Sequence, residues 1–186
     1  MVPLVAALAV FAAVLICILV YNDLIALRRR CDQAFADIDV QLRQRFDLVP
    51  NLVEAVKGYA AHEKATLESV IKARNAVAAA PTTEAGAQAQ ALLGASLDRL
   101  MVVVEAYPEL KASASFAELR AELTDLENKI AAARRYLNNA VGEYNTAIEQ
   151  FPGSLFAGLF GFTARAFYEV GSDRRLAVEA GPAVKF

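Results

Sequence analysis

The chain has 186 residues, 56% of them hydrophobic, with a net charge of −2 and a mean hydropathy of +0.33. That length favours one domain, and a charge so near zero argues against nucleic acid as a partner. Two cysteines, Cys17 and Cys31, and a single histidine, His62, offer no zinc spacing and no disulfide framework.

Residues 2–20 carry no charge. A helix of that length approaches the roughly 30 Å of a bilayer's hydrocarbon core. Pro3 falls in the first turn, where a missing N–H does no harm. Tyr21 follows where aromatic rings gather at membrane surfaces, and Arg28, Arg29 and Arg30 come soon after. A cleaved signal peptide would carry positive charge before the apolar stretch and small residues before the cut, and neither is present. Ile16 before Cys17 is too large for a lipidation site. The expectation is an uncleaved single-pass anchor. The positive-inside rule puts its N-terminus outside and the rest in the cytoplasm.

Leu24, Leu27, Cys31, Phe35, Ile38, Leu42 and Phe46 then recur at alternating spacings of three and four, one stripe of an amphipathic helix. Pro50 removes a backbone donor and disfavours helix at Val49. A second stripe follows through Leu52, Val53, Val56, Ala60, Leu67, Ile71 and Val77, up to the break at Pro81-Thr82-Thr83. The stripes keep nearly one phase across Pro50, as in a kinked helix. Length favours a reversal there, because one helix over residues 24–80 would run roughly 85 Å and outreach its partners. A reversal at Pro50 is the expectation.

A third helix carries Ala89, Leu92, Leu93, Leu97, Leu100, Val104 and Tyr107 and stops at Pro108. A loop is expected up to Ser115, which pairs with Glu118 as a capping box. Phe116 then opens the most regular stripe: Leu119, Leu123, Leu126, Ile130, Ala133, Leu137, Val141, Tyr144, Ile148 and Phe151, up to Pro152-Gly153. Asp39 with Arg43, Glu68 with Lys72 and Asp125 with Lys129 are spaced for supporting ion pairs. The expected fold is all-α: an N-terminal transmembrane helix over residues 1–20, then an antiparallel up-down-up-down helix bundle over 21–152.

Residues 153–186 form an aromatic-rich segment and a loosely ordered tail. The stretch 151–168 holds half of the ten phenylalanines and one charge, Arg165. Gly153, Gly158 and Gly161 weaken it as a helix and as a second span. It reads as a turn packed on the bundle, as a membrane-surface or subunit contact at the bundle's base, or as a re-entrant segment.

Several strings together carry a resemblance. Tyr21-Asn22-Asp23-Leu24 follows the apolar segment. Asp37-Ile38-Asp39-Val40-Gln41-Leu42 leads to Arg45-Phe46-Asp47-Leu48-Val49-Pro50-Asn51-Leu52-Val53, then Lys57-Gly58-Tyr59-Ala60 and Ala73-Arg74-Asn75. Tyr107-Pro108-Glu109-Leu110-Lys111, Glu127-Asn128-Lys129-Ile130, Tyr144-Asn145, Phe151-Pro152 and Phe160-Gly161-Phe162 come later in the same order. The chain resembles the LemA family of bacterial membrane proteins, with Phe46 in place of an expected tyrosine. The resemblance implies a single-pass protein of the bacterial cell membrane with a cytoplasmic helix bundle. It supplies no catalytic residue.

The residues themselves suggest little chemistry. His62 beside Glu63 cannot build a two-histidine di-iron site, nor a His-Glu-x-x-His zinc helix. Asp37, Asp39, Glu54 and Glu63 approach one another only if the first two helices form a hairpin. Asn128, Asn138, Asn139 and Asn145 flank the last stripe and either bond across the bundle or face water. The expectation is a non-enzymatic scaffold or adaptor with no catalytic, cofactor-binding or metal-binding residues and no cofactor. Its expected partners are the lipid bilayer, an unidentified membrane or cytoplasmic protein, and a second copy of the chain. A membrane-shaping or lipid-binding module using Arg28–Arg30 and the tail is the alternative. A hydrolase built on carboxylates near His62 comes last.

Overall fold

The computed structural model describes residues 1–80 and 83–168. The expected break at Pro81-Thr82 and the loose tail from 171 to 186 lie outside those residues. The described residues are helical, with no strand among them. The helices are α1 Val2–Lys57, α2 Lys64–Ala79, α3 Thr83–Val104, α4 Pro108–Lys111, α5 Ala114–Glu149 and α6 Gly153–Phe160.

The reversal expected at Pro50 does not occur. α1 passes through Pro50 and ends at Lys57. Proline cannot donate to the carbonyl four residues back, which belongs to Phe46. That carbonyl accepts instead from Arg74 Nε at 3.2 Å, while the Arg74 guanidinium lies 3.9 Å from the centre of the Phe46 ring. A side chain 28 residues away thus satisfies the acceptor that the proline leaves open. The chain turns after Lys57 instead, through short bonds such as Ala60 N–H to Val56 O at 2.8 Å. The second stripe is therefore shared: Leu52, Val53 and Val56 lie on α1, and Leu67 lies on α2. α1 also runs unbroken through residue 20, so the apolar segment and the helix after it are one element.

Two compact units divide the chain. The first comprises Met1–Asp39 and Ala131–Tyr168; the described part of the second lies within Val40–Ile130. In the second unit, Leu52, Val56, Val70, Leu93, Leu100, Leu110 and Phe116 form a core from which water is excluded. In the first unit, Leu24, Cys31, Ala34 and Ile38 of α1 are buried, as are Leu137, Val141, Tyr144 and Ile148 of α5. Their spacing of three and four is the period of a helix face.

Other details depart from expectation. The segment before Ser115 is partly helical, since Pro108 occupies a first-turn position of α4 where proline is at ease. α5 begins at Ala114, so Ser115 is inside the helix and the Ser115–Glu118 cap does not form; Ser115 Oγ lies 3.0 Å from Ser113 Oγ. Leu92 and Phe35 sit on their stripes by spacing yet are exposed. Of the three expected i,i+4 pairs, Asp125–Lys129 closes at 2.6 Å, and the other two do not close among the described residues.

Candidate functional site

The first unit holds the arrangement with the most chemistry. Residues 2–20 have their apolar side chains turned outward, and the most apolar window of α1 has a mean hydropathy of 3.0 with none of it buried. Among the described residues, α1 is the one helix long and apolar enough to cross a membrane. Tyr21 ends that stretch. Its ring meets Phe160 and Phe162 edge-on, with centroids 5.0 and 5.9 Å apart.

Phe160 closes α6, a helix that weak propensity argued against. Gly153 is what allows α6 to sit where it does. A Cβ there would lie 2.0 Å from the Ala147 carbonyl oxygen and 3.7 Å from Leu24 Cδ2. Gly161 ends the helix in a left-handed conformation (φ 71°, ψ 30°), and the Phe162 N–H returns to Ala157 O at 2.9 Å. That six-to-one bond around a left-handed glycine is a common helix stop.

Beyond Gly161 the chain leaves the helix, and α5 grips its main chain. Asn145 Nδ2 donates to Arg165 O at 2.9 Å, and Arg165 N–H donates to Asn145 Oδ1 at 2.9 Å. Asn138 repeats the pair with Tyr168: Nδ2 to O at 3.2 Å, N–H to Oδ1 at 2.8 Å. The Tyr144 hydroxyl donates to Thr163 O at 3.1 Å. The spacing explains why two asparagines fit. Seven residues on a helix rise about 10.5 Å, and three residues of extended chain span about 10 Å. Each amide presents an N–H beside a C=O, the complement of a residue's own C=O and N–H. Side chains add to the grip. Arg165 Nη2 pairs with Asp32 at 2.7 Å, and the Arg134 guanidinium lies 5.3 Å from the centre of the Tyr168 ring. Burial pushes the Cys31 thiol up, with neighbouring Arg165 pulling against it.

Among the described residues of the second unit one charge is buried. Arg45 is 2% exposed and donates to Glu127 Oε1 at 2.7 Å, to Gln90 O at 3.2 Å and to Gln90 Oε1. Gly94 lies beside it, where a Cβ would meet Arg45 Nη1 in ordinary contact at 3.7 Å. The node joins α1, α3 and α5 and holds no nucleophile. An open depression of about 430 Å³ between Gln44, Asn51, Glu122 and Lys129 is lined mostly by polar side chains.

The residues whose types suggest chemistry stay apart. His62 is exposed, with no hydrogen bond or ion pair among the described residues. Glu63 accepts from the Tyr107 hydroxyl at 3.1 Å, and Glu54 pairs with Lys57 at 3.4 Å. Asp37 and Asp39 are exposed on α1, and the reversal at Pro50 that would have gathered these carboxylates does not occur. Among the described residues no three His, Cys, Asp or Glu side chains converge as a metal site would require. Arg30 pairs with Glu143 at 2.8 Å, and Arg28 and Arg29 are exposed. Of the four asparagines, Asn138 and Asn145 bond to the chain, while Asn128 and Asn139 are exposed. Arg45 escapes sequence reasoning; its only sequence signal is a charge between the apolar positions Leu42 and Phe46.

An apolar N-terminal helix joined to packed amphipathic helices defines a membrane-associated, all-helical protein. The family model of the LemA family matches residues 34–186. The chain belongs to the LemA family. It is 27% identical over 168 residues to the magnetosome protein MamQ of Magnetospirillum gryphiswaldense, covering 76% of this chain and 62% of that one. It is 25% identical over 188 residues to the magnetosome proteins MamQ 1 and MamQ 2 of Paramagnetospirillum magneticum, covering 87% of this chain and 69% of each relative. The chain thus spans a little under two thirds of the length of the first relative.

Proposed function

We propose that the protein is a non-enzymatic scaffold or adaptor of the bacterial cell membrane, crossing it once with its N-terminus outside. The observation that carries this reading is the continuity of α1, which joins the apolar stretch to the packed helices with no hinge at residue 20 or at Pro50. A partner bound to the helices is then tethered to the bilayer through α1. Arg28, Arg29 and Arg30 just beyond the span favour the cytoplasmic side for the packed helices. The packed part is an antiparallel up-down-up-down bundle in this reading. Contacts in the second unit support it: Arg45 meets Glu127, while Asn51 shares a depression with Glu122, so numbers rise on α1 as they fall on α5. Phe46 likewise meets Arg74 across the turn at 58–63. Partners are a membrane or cytoplasmic protein and a second copy of the chain.

Crosslinking of the full-length protein in its native membrane, read by mass spectrometry, tests the proposal. A reproducible foreign protein on one helix face supports it. Crosslinks confined to lipid and to the chain itself overturn the adaptor role and leave the lipid-binding module, which α6 and Arg28–Arg30 favour. Among the described residues His62 is exposed and forms no ion pair, which favours the scaffold over a hydrolase centred there.

A further inference from the structure

We infer that α6 is a bilayer-contact helix whose Leu155, Leu159 and Phe160, with Phe151 just ahead of it, lie in the acyl–headgroup boundary of the leaflet where α1 leaves the membrane. This rests on residues 2–20 being the span.

Three observations carry it. The first is depth. Tyr21 is the residue next after the charge-free stretch, and it touches Phe160 and Phe162. Whatever level Tyr21 occupies, α6 shares it, and tyrosine after an apolar span sits at the interface.

The second is inverted packing. A helix on a water-soluble surface buries its large apolar side chains and exposes small or polar ones. α6 does the opposite. Gly153 and Ala157 face inward, Gly153 so closely that no Cβ fits against Ala147 O. Phe151, Leu155 and Leu159 recur every four residues and are 80%, 65% and 76% exposed. No charge occurs from 150 to 164, so nothing on this face opposes transfer from water. At eight residues, or about 12 Å, α6 is too short to span and suits the interface plane.

The third is fixation. The chain on either side of α6 is tied down: Gly153 is seated on α5, and Asn145 and Asn138 grip the main chain of Arg165 and Tyr168. The apolar face is therefore held outward and cannot roll inward. Its continuity with the apolar surface of residues 2–20 identifies lipid as the occupant.

The test uses the full-length chain in vesicles of phosphatidylethanolamine and phosphatidylglycerol. A Cys17→Ser parent, with buried Cys31 retained, gives the background. Single nitroxide labels are placed through Leu8→Cys, Leu155→Cys, Leu159→Cys and Glu122→Cys, and accessibility to oxygen and to a water-soluble nickel chelate is read for each. Leu8 reports the span and Glu122 reports water. The expected result is an oxygen-to-nickel ratio at 155 and 159 several-fold above that at 122 and on the side of Leu8. A lipid-like ratio at Leu8 with water-like ratios at 155 and 159 overturns the inference and leaves the span standing. Shielding of 155 and 159 from both reagents also overturns it, in favour of a second copy seated on α6. A water-like ratio at Leu8 overturns the span and the inference together.

Discussion

The core of the second unit and the α6 region of the first place their large apolar side chains in opposite ways. In the second unit Phe116, Leu52, Leu93 and Leu100 are turned inward and almost fully shielded, and one buried arginine is enclosed with its partners. In the first unit the base around α6 buries Gly153 and Ala157 and turns Phe151, Leu155 and Leu159 out, while asparagines grip the main chain beyond it. The second unit has what a water-soluble fold needs, an apolar core with its polar groups largely paired. The first has a surface that water does not explain. The difference assigns stability to one region and the contact with surroundings to the other.

The sharpest way to break that comparison is to delete core volume. Phe116→Ala, in the shielded core of the second unit, is expected to cost about 3–5 kcal/mol. Leu155→Ala removes a comparable apolar side chain from an exposed position and is expected to change stability in detergent by less than about 0.5 kcal/mol. Denaturant unfolding of both variants reads the contrast. Equal losses would mean that α6 is part of a core. Next in size is Arg45→Ala, with an expected cost of about 3 kcal/mol, since Gln90 and Glu127 lose their partner. Glu127 is 44% exposed and can turn to water, so Glu127→Gln is expected to cost less. A double-mutant cycle between the two positions measures their coupling.

Asn145→Ala comes third. It removes two hydrogen bonds to main chain, an expected loss of about 2 kcal/mol felt locally. Hydrogen exchange should quicken over residues 163–168 and hardly change in α2 or α3. Exposed Asn139→Ala is the control and should leave exchange unaltered. If both variants behave alike, the clamp is not what holds the segment.

These positions also show what the sequence made legible. The all-helical character, the apolar segment and the α5 stripe were readable because each repeats locally. Leu123, Leu126, Ile130, Leu137, Val141, Tyr144 and Ile148 are buried as their spacing required. The path at Pro50 was not, because the acceptor the proline leaves open is met by Arg74, a partner no local pattern announces. The true turn has a faint signal in Gly58, the first glycine of the chain, but Pro50 is the stronger local breaker. Asn138 and Asn145 stand out in the sequence, but their partners are main-chain groups at Arg165 and Tyr168, and a backbone carries no residue code. Arg45 stayed hidden because its burial is decided by α3 and α5, not by its neighbours on α1.

The smallest expected effects are electrostatic and lie in the second unit at opposite ends of the pH scale. The Glu105 carboxyl is held below its ordinary value of 4.5, first by the hydrogen bond from Lys111, then by the charges of Lys111 and Arg120. A carboxyl depressed on folding contributes stability that is present above 4.5 and lost as pH falls through the lower folded value. The Tyr107 hydroxyl is shifted the other way, above 10.0, because it donates to the Glu63 carboxylate and is partly desolvated. Its contribution is present below 10.0 and lost as pH rises through the higher folded value. Glu105→Gln should therefore flatten only the acid limb of a stability–pH profile, and Tyr107→Phe only the alkaline limb. The stability gap between wild type and Glu105→Gln should be constant near neutrality and close below 4.5. A gap that persists unchanged into acid would mean that Glu105 acts through packing and not through its charge, and the electrostatic reading of the α3–α4 corner would have to be given up.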